Sequence, residues 1–319
     1  MPMLPTEDTI IICFAFNRPG HLDKALHALS LNKESKSLPL RIYIDGARSE
    51  SDAPLIAEVA AVAKKYETHF LSFDLRRKHE NKGLYWSITN GISEALVDYS
   101  QVIVMEDDIC ASPCFLEYML TSLSLYRNDQ IVASIHGYTP PVKASLPETF
   151  FLRGADCWGW ATWRDRWTNY FNSDADYLLS LIKSRGLIDE FNLYGGYDFY
   201  EMLRQKAIGK CQSWAICWHA SCFAHGYLTL HPGKTLIQNI GLDGSGEHSQ
   251  PSNAYQTEST STQITVTRLP LVENIYAANT YSSHFRTFNV SPSIFEGIMI
   301  RVGAVMRKLK QAKTKLFSA

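Results

Sequence analysis

The chain has no GxGxxG dinucleotide fingerprint and no GxxxxGK[ST] phosphate loop, so a nucleotide bound to it is held by side chains rather than by a glycine cradle. Excess charge is missing too. Lys+Arg 31 against Asp+Glu 32 gives a net charge of -1, which removes any chain-wide attraction to nucleic acid. No stretch approaches the roughly 18 to 20 apolar residues that a membrane-spanning helix needs. The first eight residues carry two prolines and two acids and lack the basic start and apolar core of a signal peptide, so a cytoplasmic location is expected. Seven cysteines (Cys13, Cys110, Cys114, Cys157, Cys211, Cys217 and Cys222) form no CxxC pair, in a chain too long to need disulfide staples. Reduced thiols are the expected state. Cys217, His219 and Cys222 match no standard zinc spacing.

What is present is a chain of 319 residues, 45% apolar, able to build a large core. Its most informative stretch is 102–109, Val-Ile-Val-Met-Glu-Asp-Asp-Ile. An apolar run fit for a buried strand stops in three adjacent carboxylates, Glu106, Asp107 and Asp108. Three adjacent anions resist dehydration and call for a cation, a basic partner or open water. Oxygen-only ligands at a strand end suit Mn2+ or Mg2+, completed by phosphates and water. A solvated acidic loop is the plainer alternative.

The preceding residues alternate between strand and helix patterns. Residues 9–16 are apolar throughout, as for a central strand, and run into Asn17-Arg18-Pro19-Gly20. Helical periodicity covers 21–31; 40–44 reads as a strand ending in Asp45-Gly46; 54–66 is an Ala-rich helix. Residues 70–73 are a candidate strand, and 84–99 a helix opened by Asn81-Lys82-Gly83. A helix from 113 to about 126 and a strand over 131–135 follow. This order predicts an α/β fold with a mostly parallel central sheet flanked by helices, in which ligands gather at strand carboxyl ends. Asn17, Arg18, Asp45, Lys82, Gly83 and the three acids then share one sheet edge.

The second half changes texture. Residues 158–167 pack four of the seven Trp into ten positions, and the glycine there favours a loop near a ligand. Trp158, Trp160 and Trp163 are candidate stacking faces for a sugar or, alternatively, core filler. In Gly195-Gly196-Tyr197-Asp198-Phe199-Tyr200-Glu201, Asp198 and Glu201 share one helical face near its start. Either suits a general base, or Asp198 is only an N-cap and Glu201 a surface acid. The glycine loop 240–249 carries His248, a candidate ligand of a metal or phosphate, and 250–263 reads as a linker. Residues 294–319 combine an apolar helical face with six cations and no acid after Glu296. Such a segment suits an anionic membrane surface or docks on the domain with a solvated tail.

Taken in order, Asn-Arg-Pro after the first strand, Asp-Gly after the second, Asn-Lys-Gly before a helix, Met-Glu-Asp-Asp-Ile, Gly-Trp-Ala-Thr-Trp and Asn-Ile-Gly-Leu-Asp-Gly-Ser-Gly-Glu-His resemble a GT-A fold glycosyltransferase. The resemblance spans roughly 9–249, is nearest to bacterial envelope-polysaccharide sugar transferases and more distant to N-acetylglucosaminyltransferase I. It implies a GT-A domain over 1–249, with a nucleotide-binding half to about 110 and an acceptor-side half over 111–249, then a linker and C-terminal helical extension over 250–319. It implies that Asp108 holds Mn2+ or Mg2+, to which His248 is a candidate second ligand, and that Glu106 and Asp107 lie nearer the ribose and donor sugar. Asn17, Arg18, Asp45, Lys82 and Gly83 are expected to bind the donor. The family's catalytic Asp maps to Asp198 by its aromatic-Asp pair and to Glu201 by counting back from Arg204. The expected activity is metal-dependent transfer with inversion, retention staying open, from a nucleotide-sugar donor, expected to be UDP-linked, to a glycan or lipid-linked saccharide acceptor, at the inner face of the cell membrane if the basic tail binds there. No nucleic acid partner is expected. A sugar nucleotidyltransferase and a non-catalytic carbohydrate-binding protein are the competing readings.

Overall fold

The computed structural model describes residues 6, 8–243, 255 and 257–288. Strand β1 (Thr9–Ala15) is followed by α1 (Pro19–Ser30), β2 (Pro39–Ile44), α2 (Ala53–Lys64), β3 (Ser72–Arg77), α3 (Leu84–Asp98) and β4 (Gln101–Glu106). After the acids come β5 (Ile109–Ala111), α4 (Phe115–Leu125), β6 (Val132–His136), β7 (Thr149–Arg153) and β8 (Trp160–Trp163). Five helices follow: α5 (Arg164–Tyr170), α6 (Ala175–Ser184), α7 (Ile188–Phe191), α8 (Phe199–Ala207) and α9 (Ala215–Ala224). Then come β9 (Leu228–Pro232), β10 (Ile237–Asn239) and α10 (Ile275–Thr287).

Eight strands make one sheet in the order β3-β2-β1-β4-β8-β6-β9-β7. Strands β3, β2, β1, β4, β6 and β9 point the same way, and β8 and β7 run against them. The mostly parallel sheet is therefore as the sequence implies. The uninterrupted apolar runs follow from burial on both faces. In β1, Ile11 and Cys13 pack with Leu22 and Leu26 of α1 and Val59 of α2. Ile10, Ile12 and Phe14 pack with Ile88 and Ile92 of α3 on the other side. Strand β4 divides in the same way, Ile103 and Met105 against Val102 and Val104. Each such buried aliphatic side chain contributes about 1.5–3 kcal/mol of transfer free energy. These two layers hold the acidic turn in place at the end of β4.

Three expectations need correction. The third strand occupies Ser72–Arg77 rather than 70–73. It is an edge strand with one face open, so it carries Arg76 and Arg77, and charge on an edge defeats a reading based on apolar runs. The Trp-rich stretch is not a loop over its whole length, because Trp160–Trp163 form β8 between β4 and β6. Finally, the described residues after 256 are no separate unit: Thr260 N donates to Thr235 O, Gln263 to Glu117, and Ile264 joins the core. In α10, Ala277, Ala278 and Tyr281 bury against Phe150 and Leu152 of β7. Its polar composition hid this helix from the sequence reading. His248 and residues 294–319 lie outside the described residues. No helix among the described residues is long and apolar enough to cross a membrane.

Candidate active site

The carboxyl ends of β1, β2, β4, β6 and β9 share one edge of the sheet, and a set of polar residues follows them there. Behind β2, Asp45 is almost fully buried, and its carboxylate accepts from the backbone N-H groups of Gly46, Lys82 and Gly83 at 2.9–3.2 Å. Gly46 lies so close to the Glu80 carbonyl that a Cβ there would overlap it. Gly83, at φ +83, adopts a conformation that side chains disfavour. The Asp45 hydrogen bonds latch the 80–83 loop to β2. The Lys82 ammonium turns outward to Glu80. Asn17 donates to Asp52 at 2.8 Å and fixes the loop after β2.

Behind β1, the Arg18 guanidinium bridges two of the acids, pairing with Asp107 through Nη2 and Nε and with Asp108 at 2.8 Å. Asp107 N donates to Phe14 O at 2.9 Å, which carries the turn across β1. One guanidinium cannot neutralise three carboxylates. Burial, then Asp108 and Asp107, push Glu106 up to about 8. Burial also pushes Asp107 up to about 6, against the pull of Arg18. Carboxylates that hold protons for want of a second positive charge, and that offer oxygen ligands alone, fit a divalent cation. Among the described residues no three His, Cys, Asp or Glu side chains form a complete metal cage. The fit is to a cation held by one or two carboxylates and finished by phosphate oxygens and water. Asp108, the most open of the pair with its side chain 17% exposed, is the residue placed to reach it.

Asp108 is also clamped from the far end of the chain. Strand β10 pairs antiparallel with β5, and Ile240 N donates to Asp108 O at 2.9 Å. Gly241 lies flush against the Asp108 carboxylate, where a Cβ would overlap it. The segment leading to His248 therefore starts at the acidic turn, although His248 itself is not described.

The rest of this edge went unread in the sequence. At the ends of β6 and β9, burial drives His136 and His231 down to about 3, so both are neutral at pH 7. Trp158 N donates to His136 Nε2 at 3.3 Å, which places the His136 proton on Nδ1, facing His231 Nδ1 at 3.3 Å. The 154–159 loop carries Asp156, whose Oδ1 accepts from Cys157 N at 2.8 Å and whose Oδ2 lies 3.7 Å from His136 Nδ1. Asp156 keeps 48% of its side-chain surface open, yet desolvation raises its carboxyl above the usual range. Burial raises the Cys157 thiol, and Asp156, Glu106 and Asp108 add to it in that order, so the loop joins the new acid to the old ones. Both strand-end histidines were findable by the rule applied to the first half, that ligands gather at the carboxyl ends of parallel strands.

Of the three tryptophans, only Trp158 is available for stacking. It is half-buried and meets Tyr138 and Tyr255 edge-on at 4.9 and 5.4 Å. Trp160 is fully buried, stacked on Trp214 at 5.6 Å, and Trp163 is 2% exposed under Arg166. The sugar-stacking role expected of these two is corrected, since strand pairing turns both into the core.

Asp198 caps α8, its Oδ1 accepting from Glu201 N at 3.1 Å and Asn192 Nδ2 at 3.2 Å. No hydrogen bond to its Oδ2 is found among the described residues. Glu201 is occupied: Arg204 grips both oxygens and Gln205 adds a third contact, which holds its carboxyl below the usual range. The next residue after Asp198, Phe199, packs on His219 with ring centres 4.5 Å apart. His219 Nδ1 lies 2.8 Å from Ala155 O, directly before Asp156. The start of α8 and the Asp156 loop thus share one support.

The family model described as Glycosyl transferase family 2 matches residues 10–183, more than half of the chain. No curated protein matches. Solved structures with a likeness include the mannosyltransferase PcManGT from Pyrobaculum calidifontis in complex with GDP-Man and Mn2+, at 13% identity over 41% of this chain and 35% of that one, TM-score 0.33. Residues 1–349 of S. aureus TarS share 10% identity over 72% of this chain and 59% of that one, TM-score 0.42. A cytidylyltransferase from Leptospira borgpetersenii serovar Hardjo-bovis shares 14% over 51% and 63%, TM-score 0.34. The chain spans less than two thirds of each of these chains. With TM-scores this low, the family match and the site geometry carry the functional reading.

Proposed function

The chain belongs to glycosyl transferase family 2, and on that premise we propose that it moves a sugar from a UDP-linked donor to a saccharide acceptor with inversion at the anomeric carbon. The observation that carries this reading is the acidic turn 106–108 at the end of β4, set against Arg18 at the end of β1. Family membership displaces the two competing readings, a nucleotidyltransferase and a non-catalytic binding protein.

Asp108, with His248 from the loop that starts beside it, would hold Mn2+ or Mg2+. When bound, the cation supplies positive charge that stabilises the leaving diphosphate. Arg18 adds a second positive charge on that side while remaining paired to Asp107. Asp45 contributes by holding the 80–83 loop, with Lys82 and Gly83, as one edge of the nucleotide subsite. Asn17, Glu106 and Asp107 shape the rest of it.

On the acceptor side, Asp198 is the better general base. One of its oxygens is fixed by the start of α8 and the other has no hydrogen bond among the described residues, whereas Glu201 is locked to Arg204. Asp198 would take the proton of the attacking hydroxyl as the bond to the anomeric carbon forms and the bond to the diphosphate breaks. Trp158 offers the aromatic face for a saccharide ring. The basic segment 294–319 suits an acceptor carried on a lipid in bacterial envelope polysaccharide synthesis, at an anionic membrane surface. Liposome binding that survives deletion of 295–319 would remove that part.

The test of the whole is transfer itself. Incubation with UDP-sugars, Mn2+ and a panel of saccharides should release UDP and give a product whose anomeric configuration, read by proton NMR, is inverted. Retained configuration would overturn the inverting mechanism, and transfer undiminished by a chelator would overturn the metal assignment.

A further inference from the structure

We propose that Asp156 reads the hydroxyl groups of the transferred sugar and so sets which donor the enzyme accepts; this rests on the donor reading above. The argument begins with where an inverting displacement puts the sugar. The anomeric carbon must lie between the leaving diphosphate, on the Asp108 side, and the base, on the Asp198 side. The loop that spans those two sides is 154–159. Its Cys157 lies within the field of Glu106 and Asp108, and its Ala155 is bound to His219, which supports Phe199 beside Asp198. Asp156 lies between Ala155 and Cys157 on that loop, with 48% of its side-chain surface open.

The loop is rigid. Gly154 and Gly159 both have positive φ, and a Cβ at either would overlap His219 or Ile237. Gly137 N donates to Gly159 O at 2.8 Å, and Trp158 N to His136. A carboxylate carried on such a frame is pre-placed to within the tolerance that hydroxyl recognition requires.

The surroundings of Asp156 also say what it can bind. No Lys or Arg pairs with it among the described residues. Its nearest basic groups are His136, His231 and His219, all held toward the neutral form by burial. Among the described residues Oδ1 has one donor, Cys157 N, and Oδ2 has only the distant edge of His136. A carboxylate left with spare acceptors and no counter-ion is matched by neutral hydroxyl donors, which is what a sugar ring presents. The neutral histidine pair lies beside it without supplying the charge that would make an ion pair instead. Tyr138, whose hydroxyl donates to Tyr255 O, and Trp158 bring aromatic faces to the same place.

The experiment compares wild type with Asp156→Asn and Asp156→Glu, in Mn2+, using UDP, UDP-glucose, UDP-galactose, UDP-GlcNAc and UDP-GalNAc. UDP affinity is read by calorimetry, and kcat/KM for each donor by UDP release. Asp156→Asn should leave UDP affinity unchanged while reducing the preference for the best sugar over its hydroxyl epimer by about 10- to 100-fold. Asp156→Glu, which keeps the charge but moves it by one methylene, should alter the rank order of donors. Unchanged preference in both variants, with UDP still bound, overturns the assignment. A wild type that binds no UDP and accepts none of the donors overturns the donor reading itself, and this inference with it.

Discussion

Replacing Glu106 by Gln should make the metal-free protein more stable at pH 8 and leave it unchanged at pH 5. Glu106 ordinarily titrates near 4.5; burial beside Asp108 and Asp107 raises it to about 8. An acid whose folded value is raised binds its proton more tightly in the folded chain, so stability falls as pH rises from the ordinary value to the raised one. Between pH 5 and pH 8 that interval is roughly 3 units, at about 1.4 kcal/mol each, a loss on the order of 4 kcal/mol. Gln has the shape of the protonated acid and does not titrate, so the variant escapes the loss. Urea denaturation in chelator at pH 5, 6, 7 and 8 measures it, as a gap between wild type and variant that opens by several kcal/mol with pH. Adding Mn2+ at about 100 times its Kd should recover about 2.7 kcal/mol for wild type, by binding only the folded chain. Parallel pH profiles for the two proteins, or a variant less stable at pH 8, would refute the reasoning that the acids are held against their own repulsion.

Other consequences follow from single contacts. Gly241→Ala drives a methyl into the Asp108 carboxylate and should weaken Mn2+ binding by about 10- to 100-fold, read by electron paramagnetic resonance. Asp198→Asn should lower kcat by about 100- to 10,000-fold with UDP affinity unchanged, while Glu201→Gln costs far less; the reverse order would move the base to Glu201. Asp45→Asn strips acceptors from Lys82 N and Gly83 N, and should cost about 1–3 kcal/mol and speed hydrogen exchange at those amides. Trp160→Ala should cost about 3–5 kcal/mol of stability from its cavity. Trp158→Ala should cost less than half of that and act on saccharide binding instead.

Legibility in the sequence followed burial. Strands β1, β2 and β4 are covered on both faces, so their apolar runs announced them and placed Arg18, Asp45 and the three acids on one edge. Strand β3 was misplaced because an edge strand is half-exposed and carries arginines. The tryptophans misled for the opposite reason: a cluster dense enough to suggest a sugar platform is also what fills the space between β8 and α9, and periodicity alone cannot tell which way a four-residue strand faces. Asp156 was invisible because its meaning comes from His136, His231 and His219, which lie far from it in sequence and are joined to it only by sheet order. The choice between Asp198 and Glu201 was open in the sequence and is narrowed by a side-chain contact, the grip of Arg204 on Glu201.

The central claim is that Asp108 couples donor binding to a divalent cation, and calorimetry of UDP binding to wild type and to Asp108→Ala, each in Mn2+ and in chelator, tests it most directly. The account predicts tight binding for wild type in Mn2+ only, and weak binding in the other three cases. Equal affinity in all four would contradict it and leave the acidic turn without its proposed role.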